Sequence, residues 1–154
     1  MLSRIQSIYL LLAAMLAFGS MTMPFWTFTT EHVVLFGDFM DVQGAGTIVS
    51  IGSIAGGIFS PLTGIASLAA IFQFKNRKIQ QKLILLCFAL FAGDLISGLA
   101  GGHFLKLYLE TQSPNVTFRP DGGLFMILPE PVLFWLASLG VKKDEKIATA
   151  YKRL

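Results

Sequence analysis

One carboxylate stands alone inside a long apolar stretch. Asp94 lies midway between Lys82 and Lys106, within the segment FAGDLISGLAGG. A charged side chain at the centre of a bilayer costs ~2.5 kcal/mol or more, and such residues often mark proton or cation pathways. The alternative is a buried, neutral acid that hydrogen-bonds a serine such as Ser60 or Ser97 and holds helices together. The residue pattern leaves both interpretations open.

Glu130 is the second acid in an otherwise uncharged stretch. By helical rise, both it and Asp94 lie ~18 Å from the surface marked by the nearest lysines, so the two carboxyls are able to face each other. Pro129 and Pro131 flank Glu130, and a residue before proline avoids helical geometry. The helix is therefore expected to kink or to begin near Pro129. In the second case Glu130 favours the positive helix end without any further function.

Other chemistry finds no support in the residue types. Cys87 is the single cysteine, and His32 and His103 have no metal-ligating neighbours at suitable spacing, so no zinc site or disulfide is predicted. FAGD has Phe91 where intramembrane aspartyl proteases carry the first glycine of GxGD. No hydrolase, metalloprotease or phosphate-loop motif is present. We expect no enzyme activity, no cofactor and no metal. The net charge of +3 does not favour nucleic acid.

The composition predicts a membrane protein. Hydrophobic residues make up 54% of the chain and charged residues 14%, against about a quarter charged in soluble domains. Four stretches with one charge or none are long enough to cross a bilayer as helices. We predict an all-α, single-domain bundle over residues 1–154. Its four transmembrane helices span about 5–27, 46–74, 82–108 and 122–141, and a tail follows at 142–154. A cleaved signal peptide is the alternative for the first helix.

Basic residues set the predicted orientation. All of them except Lys106 and Arg119 lie on one side of the four spans, which predicts cytoplasmic N- and C-termini. The clusters on that side either bind anionic lipid headgroups or an acidic partner, or serve only to orient the chain. The residues that carry this prediction are Lys75, Arg77, Lys78, Lys142 and Lys143.

The external loops are predicted to contain short strands. FTTEHVVLFGDFMDVQGAG is rich in Thr, Val and Phe and has turn residues at Gly37 and Asp38, which is typical of a hairpin. A further β-prone segment runs over residues 115–119. These segments are expected to pair into a small external sheet.

Small residues recur every fourth position in the second and third spans. This spacing places them on one helix face, where small side chains allow helices to approach closely. We predict that they form a packing seam between the two helices. The seam comprises Gly52, Gly56, Gly64, Gly98 and Gly102.

Three short motifs carry a family resemblance. They are Arg4-Ile5-Gln6 before a Leu-rich helix, the central loop at Phe74–Lys78, and the segment Lys142–Lys146. The chain resembles a bacterial family of small four-span inner-membrane proteins, found chiefly in Bacteroidetes, that carries a domain-of-unknown-function label. The final residues, Ala148–Leu154, depart from the family's usual tail. The resemblance implies a place in the bacterial inner membrane and a topology, with no reaction attached.

Two functions follow as expectations. The first is a non-enzymatic accessory or scaffold protein whose partners are the bilayer and either other membrane proteins or further copies of itself. The alternative is a small transporter or ion-coupled subunit that uses Asp94, with or without Glu130.

Overall fold

The computed structural model describes residues 2–40 and 42–151, and their elements form a helical bundle with one small sheet. The helices are α1 (Leu2–Ser20), α2 (Thr47–Phe72), α3 (Arg77–Gln112), α4 (Gly122–Ile127) and α5 (Glu130–Tyr151). The strands are β1 (Trp26–Thr29), β2 (Val33–Phe36) and β3 (Thr117–Pro120).

Within the described residues, three helical segments are long and apolar enough to cross a membrane. They are Thr47–Phe72, Arg77–Gln112 and the combined segment Gly122–Ala150, while Ile5–Ser20 is apolar but shorter. α1 nevertheless packs into the bundle, because Leu10, Ala13 and Ala17 are almost completely buried. The predicted membrane character therefore has structural support in three segments.

The first helix ends earlier than the predicted span. α1 stops at Ser20, and Trp26–Thr29, assigned in part to that span, forms the central strand of the sheet. Hydropathy does not distinguish an apolar helix from an apolar strand, and Pro24 separates the two elements. Pairing with β2 and β3 makes this segment a strand rather than a continuation of the helix.

The predicted small sheet is present, with strand order β2-β1-β3 and antiparallel pairing throughout. Trp26 pairs with Phe36 on one side and with Pro120 on the other. The hairpin turn lies at residues 30–32, earlier than Gly37 and Asp38. Those two residues follow β2 and enter the bundle, where both are buried.

The sheet packs against α3 at glycines. The Trp26 indole N–H donates to the Gly98 carbonyl at 3.2 Å. A Cβ atom on Gly98 would come within 2.5 Å of the Phe25 ring, and one on Gly102 within 2.5 Å of the Trp26 ring. These glycines therefore make room for aromatic side chains of β1 and of the residue before it.

The last helical region is broken at a proline, as the sequence predicted. α4 ends at Ile127, and α5 begins at Glu130 immediately after Pro129. Asp121 caps α4, because its carboxylate accepts a hydrogen bond from the Gly122 amide at 2.7 Å. The break places Glu130 in the first turn of α5 rather than in mid-helix.

Two apolar clusters form the core. One contains Ala66 of α2 and Cys87 of α3, together with buried residues of α1 and α5. The other contains Val49 of α2 and Leu105 of α3, together with aromatic side chains of the sheet. Along both helices, a layer of buried polar side chains lies between the two clusters, and this layer forms the candidate site.

Candidate functional site

The segment Gly37–Phe39 docks onto α2 and carries Asp38 into the bundle. The Ser53 hydroxyl donates to the Gly37 carbonyl at 2.8 Å, and the Phe39 amide donates to the Ser53 carbonyl at 3.1 Å. Phe39 adopts a positive φ of 56°, which is uncommon for a side chain of this size. These contacts hold the Asp38 side chain at 8% exposure.

Ser60 lies between two aspartates. Its Oγ is 2.7 Å from Asp38 Oδ2 and 2.9 Å from Asp94 Oδ2. A serine hydroxyl has one proton to donate and otherwise only accepts. It can donate to one carboxylate, so a favourable contact with the other requires a proton on that carboxyl. The geometry therefore fits a pair of aspartates that retains at least one proton.

No buried basic side chain balances these acids among the described residues. The buried polar side chains are Ser, Thr, Gln, Asp and Glu, without Lys, Arg or His. Burial raises the pKa of Asp38, and the hydrogen bond with Ser60 opposes that effect only in part. Two carboxylates side by side in a poorly solvated site do not both ionise readily.

Asp94 and Glu130 are brought together, as their predicted common depth allowed. Their carboxyls are close enough to interact electrostatically, and Asp94 interacts in the same way with Asp38. Glu130 is 1% exposed. Asp94 Oδ1 and Glu130 Oε1 each lack a hydrogen-bond partner within the described part of the chain. Buried polar atoms without partners are rare in proteins, so these two oxygens distinguish the site from the rest of the core.

A second polar contact lies two helical turns away. The Ser67 hydroxyl and the Cys87 thiol are 3.5 Å apart. Ser67 follows Ser60 by seven residues in α2, and Cys87 precedes Asp94 by seven in α3. A seven-residue period keeps side chains on one helix face, so the two antiparallel helices meet along a repeating polar seam.

The remaining predicted polar residue, Ser97, plays a local part. Its hydroxyl donates to the main-chain carbonyl of Asp94 at 2.8 Å, one turn back in the same helix. It does not hydrogen-bond the Asp94 carboxyl, which contacts Ser60 instead.

The predicted packing glycines have different neighbours. Gly52 faces the backbone of α3, where its Cβ would come within 3.0 Å of Gly101 Cα. A Cβ on Gly56 would lie 2.5 Å from Asp38 Oδ1, and one on Gly64 would lie 2.7 Å from the Phe18 ring of α1. Gly56 thus provides the space that admits Asp38, while Gly98 and Gly102 contact the sheet as described above.

The predicted basic residues gather at one end of the bundle. Lys75, Arg77 and Lys78 lie at the α2–α3 turn and the start of α3, and Lys142 and Lys143 lie in α5. Lys78 and Lys142 line the same groove between α3 and α5.

Within residues 2–40 and 42–151, no three His, Cys, Asp or Glu side chains are arranged to hold a metal ion.

Asp38 is the site residue that the sequence did not reveal. Its sequence context predicts a turn residue in an external loop, and its partner Asp94 is distant in the chain. One signal was available: the segment VVLFGDFMDV is nearly as apolar as the helices, which is unusual for a solvated loop. The seven-residue spacing of Ser53, Ser60 and Ser67 was a second signal.

Comparisons of the chain with curated proteins and with solved structures gave no match. A family model does match, over residues 2–154, and its description is "Domain of unknown function (DUF4293)". The predicted resemblance to a family with a domain-of-unknown-function label is thereby confirmed, and the chain belongs to the DUF4293 family.

Proposed function

We propose that this chain is an integral membrane protein with a proton-binding site at Asp38, Ser60 and Asp94, acting as a small proton-coupled transporter or subunit. The single serine hydroxyl between two buried carboxyls carries this proposal. It needs an additional proton to make both contacts favourable.

Glu130 extends the site. Its unpaired carboxyl oxygen and its electrostatic interaction with Asp94 make it the next proton acceptor on the α5 side. Asp38 is the group on the side of the sheet, because it lies two residues after the end of β2. A proton exchanged at this site would pass from the loop after β2 to the centre of the bundle.

The proposal includes four spans, with α1 as the shortest, both termini cytoplasmic, and the inner membrane of a bacterium as the location. The concentration of basic residues at the end opposite the sheet supports this orientation. The sheet end would then face the exterior.

Proton flux into proteoliposomes tests the function. The purified protein, reconstituted with a trapped pH-sensitive dye, is expected to dissipate an imposed pH gradient, and Asp94→Asn is expected to abolish that flux. Asparagine occupies nearly the same volume and still hydrogen-bonds Ser60, but it cannot release a proton.

Glu31→Gln is the matched control, because Glu31 is exposed in the hairpin turn outside the site. It should retain wild-type flux. If Asp94→Asn inserts, folds and conducts like the wild type, the acids have a structural role and the proposal fails. Substituting Na⁺ or K⁺ gradients for the proton gradient would reveal a site for another cation.

An accessory or scaffold role is the second candidate, favoured by the sheet's free edges. β2 and β3 are the outer strands, and Val33 and Leu35 are 64% and 43% exposed. Exposed strand edges can accept a strand from another protein. A pull-down in mild detergent discriminates the two functions: a stable heteromeric partner lost on Val33→Pro supports the scaffold.

A further inference from the structure

A groove of about 540 Å³ lies between α3 and α5 at the basic end of the bundle. Its rim carries Lys78, Lys82 and Lys142, and its wall is formed by Ile84, Leu85 and Phe88. Charged and apolar linings in one continuous groove are typical of a site for an amphipathic ligand.

The order of these residues matches the order of groups in a phospholipid. In α3 the lysines precede the apolar residues, and residues 78 to 88 span about 15 Å of helix. In α5, which runs the opposite way, Lys142 lies at the rim and Ser138 one turn deeper. Charge therefore lies at the end of the groove and apolar surface lies along its length. Leu85 is 70% exposed, so the wall is open to a ligand.

We infer that this groove binds an anionic glycerophospholipid, with the phosphate at the lysine rim and an acyl chain along Leu85 and Phe88. Three lysines outnumber the one acid of the groove, Glu145, which accepts a hydrogen bond from Gln81 at 3.4 Å. Lysines near a membrane surface attract anionic lipids in this way.

A second observation at the same end supports an anionic ligand. Arg77 Nη1 is buried and has no hydrogen-bond partner within the described residues. Arg77 lines an adjoining groove that shares Lys78 and Glu145 with the first. A guanidinium N–H without a protein partner is suited to a phosphate oxygen. This inference depends on the membrane placement and is independent of the proton site.

Native mass spectrometry of the full chain in mild detergent tests the site. The protein is titrated with dimyristoyl phosphatidylglycerol and, separately, with dimyristoyl phosphatidylcholine. The wild type is expected to prefer phosphatidylglycerol, and Lys78→Gln/Lys82→Gln/Lys142→Gln to weaken its binding at least ~10-fold. Equal binding of the two lipids would overturn the inference.

A matched triple variant separates a site from general charge attraction. Lys106→Gln/Lys143→Gln/Lys146→Gln removes the same charge from residues outside this groove and outside the adjoining Arg77 groove, and it should change the affinity less than ~2-fold. Equal losses in the two triple variants would show diffuse attraction and overturn the site.

Two further measurements cover folding and the source of the phosphate. Glu145→Gln removes the repulsive carboxylate and is expected to strengthen phosphatidylglycerol binding, a gain that misfolding cannot produce. Unchanged or weaker binding would count against the inference. Soluble glycerol phosphate is expected not to compete, because it lacks an acyl chain. Full competition would identify a small phosphate ligand in place of the lipid.

Discussion

Asp94 Oδ2 lies 2.9 Å from Ser60 Oγ, across the contact between α3 and α2. The next polar contact along the same pair of helices joins Ser67 and Cys87. Because both helices step by seven residues between these contacts, one antiparallel register accounts for both. Asp94 is therefore positioned by the helix pair, whereas its other neighbour, Asp38, is positioned by the loop after β2.

Removing the bridging hydroxyl should destabilise the protein. Ser60→Ala leaves Asp38 and Asp94 without their common partner, and a buried group that loses its partner costs about 1–3 kcal/mol. Thermal unfolding in detergent, followed by tryptophan fluorescence, measures the change. Ser97→Ala is the control, because that hydroxyl bonds only a main-chain carbonyl in its own helix. An equal loss of stability in both variants would refute the bridging role.

Filling the space at Gly56 should expel the Asp38 segment. Gly56→Ala places a Cβ 2.5 Å from Asp38 Oδ1, so the loop or the helix must shift. Hydrogen exchange at the Phe39 amide, which donates to Ser53, is expected to accelerate. Gly93→Ala serves as the control, because the atoms nearest to its Cβ would be those of the Phe59 ring, at 3.0 Å, and not those of Asp38. Unchanged exchange in Gly56→Ala would show that the loop does not depend on this space.

Docking of the Asp38 segment should weaken as pH rises. Burial raises the pKa of Asp38 in the folded protein, so the folded state binds the proton more tightly than the unfolded state. The stabilisation is complete below the ordinary pKa of aspartate and is lost as pH rises through the folded value. Asp94 of α3 faces Asp38 and adds repulsion once ionised, and Glu130 of α5 interacts in turn with Asp94.

Hydrogen-exchange protection of the Phe39 amide, corrected for the intrinsic rate at each pH, measures this dependence. Asp38→Asn should remove most of it. Asp121 is expected to affect the pH dependence of folding stability in the opposite direction, since the hydrogen bond from Thr27 lowers the pKa of that carboxyl. Its contribution is present above the ordinary aspartate pKa and is lost as pH falls. Protection at Phe39 that increases with pH would contradict the raised pKa of Asp38.

Local patterns predicted the parts of the fold that are determined locally. The charge-free run before Lys75 forms α2, and the run that contains Asp94 as its single charge forms α3. The expected break before α5 lies at Pro129. The predicted end of the first span was wrong because the uncharged run continues past α1 as far as Glu31. Pairing with the neighbouring strand β2 and the distant strand β3 makes Trp26–Thr29 a strand.

The sequence predicted part of the candidate site and missed the part that depends on tertiary contacts. Asp94 and Glu130 are conspicuous because a carboxylate inside an apolar helix is costly wherever that helix packs. Asp38 carries no such signal, because a carboxylate beside Gly37 is ordinary in a turn. Its role depends on Gly56 leaving space and on Ser53 holding the loop, and both are tertiary contacts.

Cysteine labelling tests the proposed orientation. Asn76 and Asn115 are exposed asparagines in the α2–α3 turn and in the segment before β3, so Asn76→Cys and Asn115→Cys form a matched pair. In intact cells, a membrane-impermeant maleimide is expected to label Asn115→Cys, and to label Asn76→Cys only after permeabilisation. Cys87 is 0% exposed and should stay unlabelled in the wild type, which provides the background. Labelling of Asn76→Cys in intact cells, with Asn115→Cys protected, would invert the topology and place the lipid groove on the outer side.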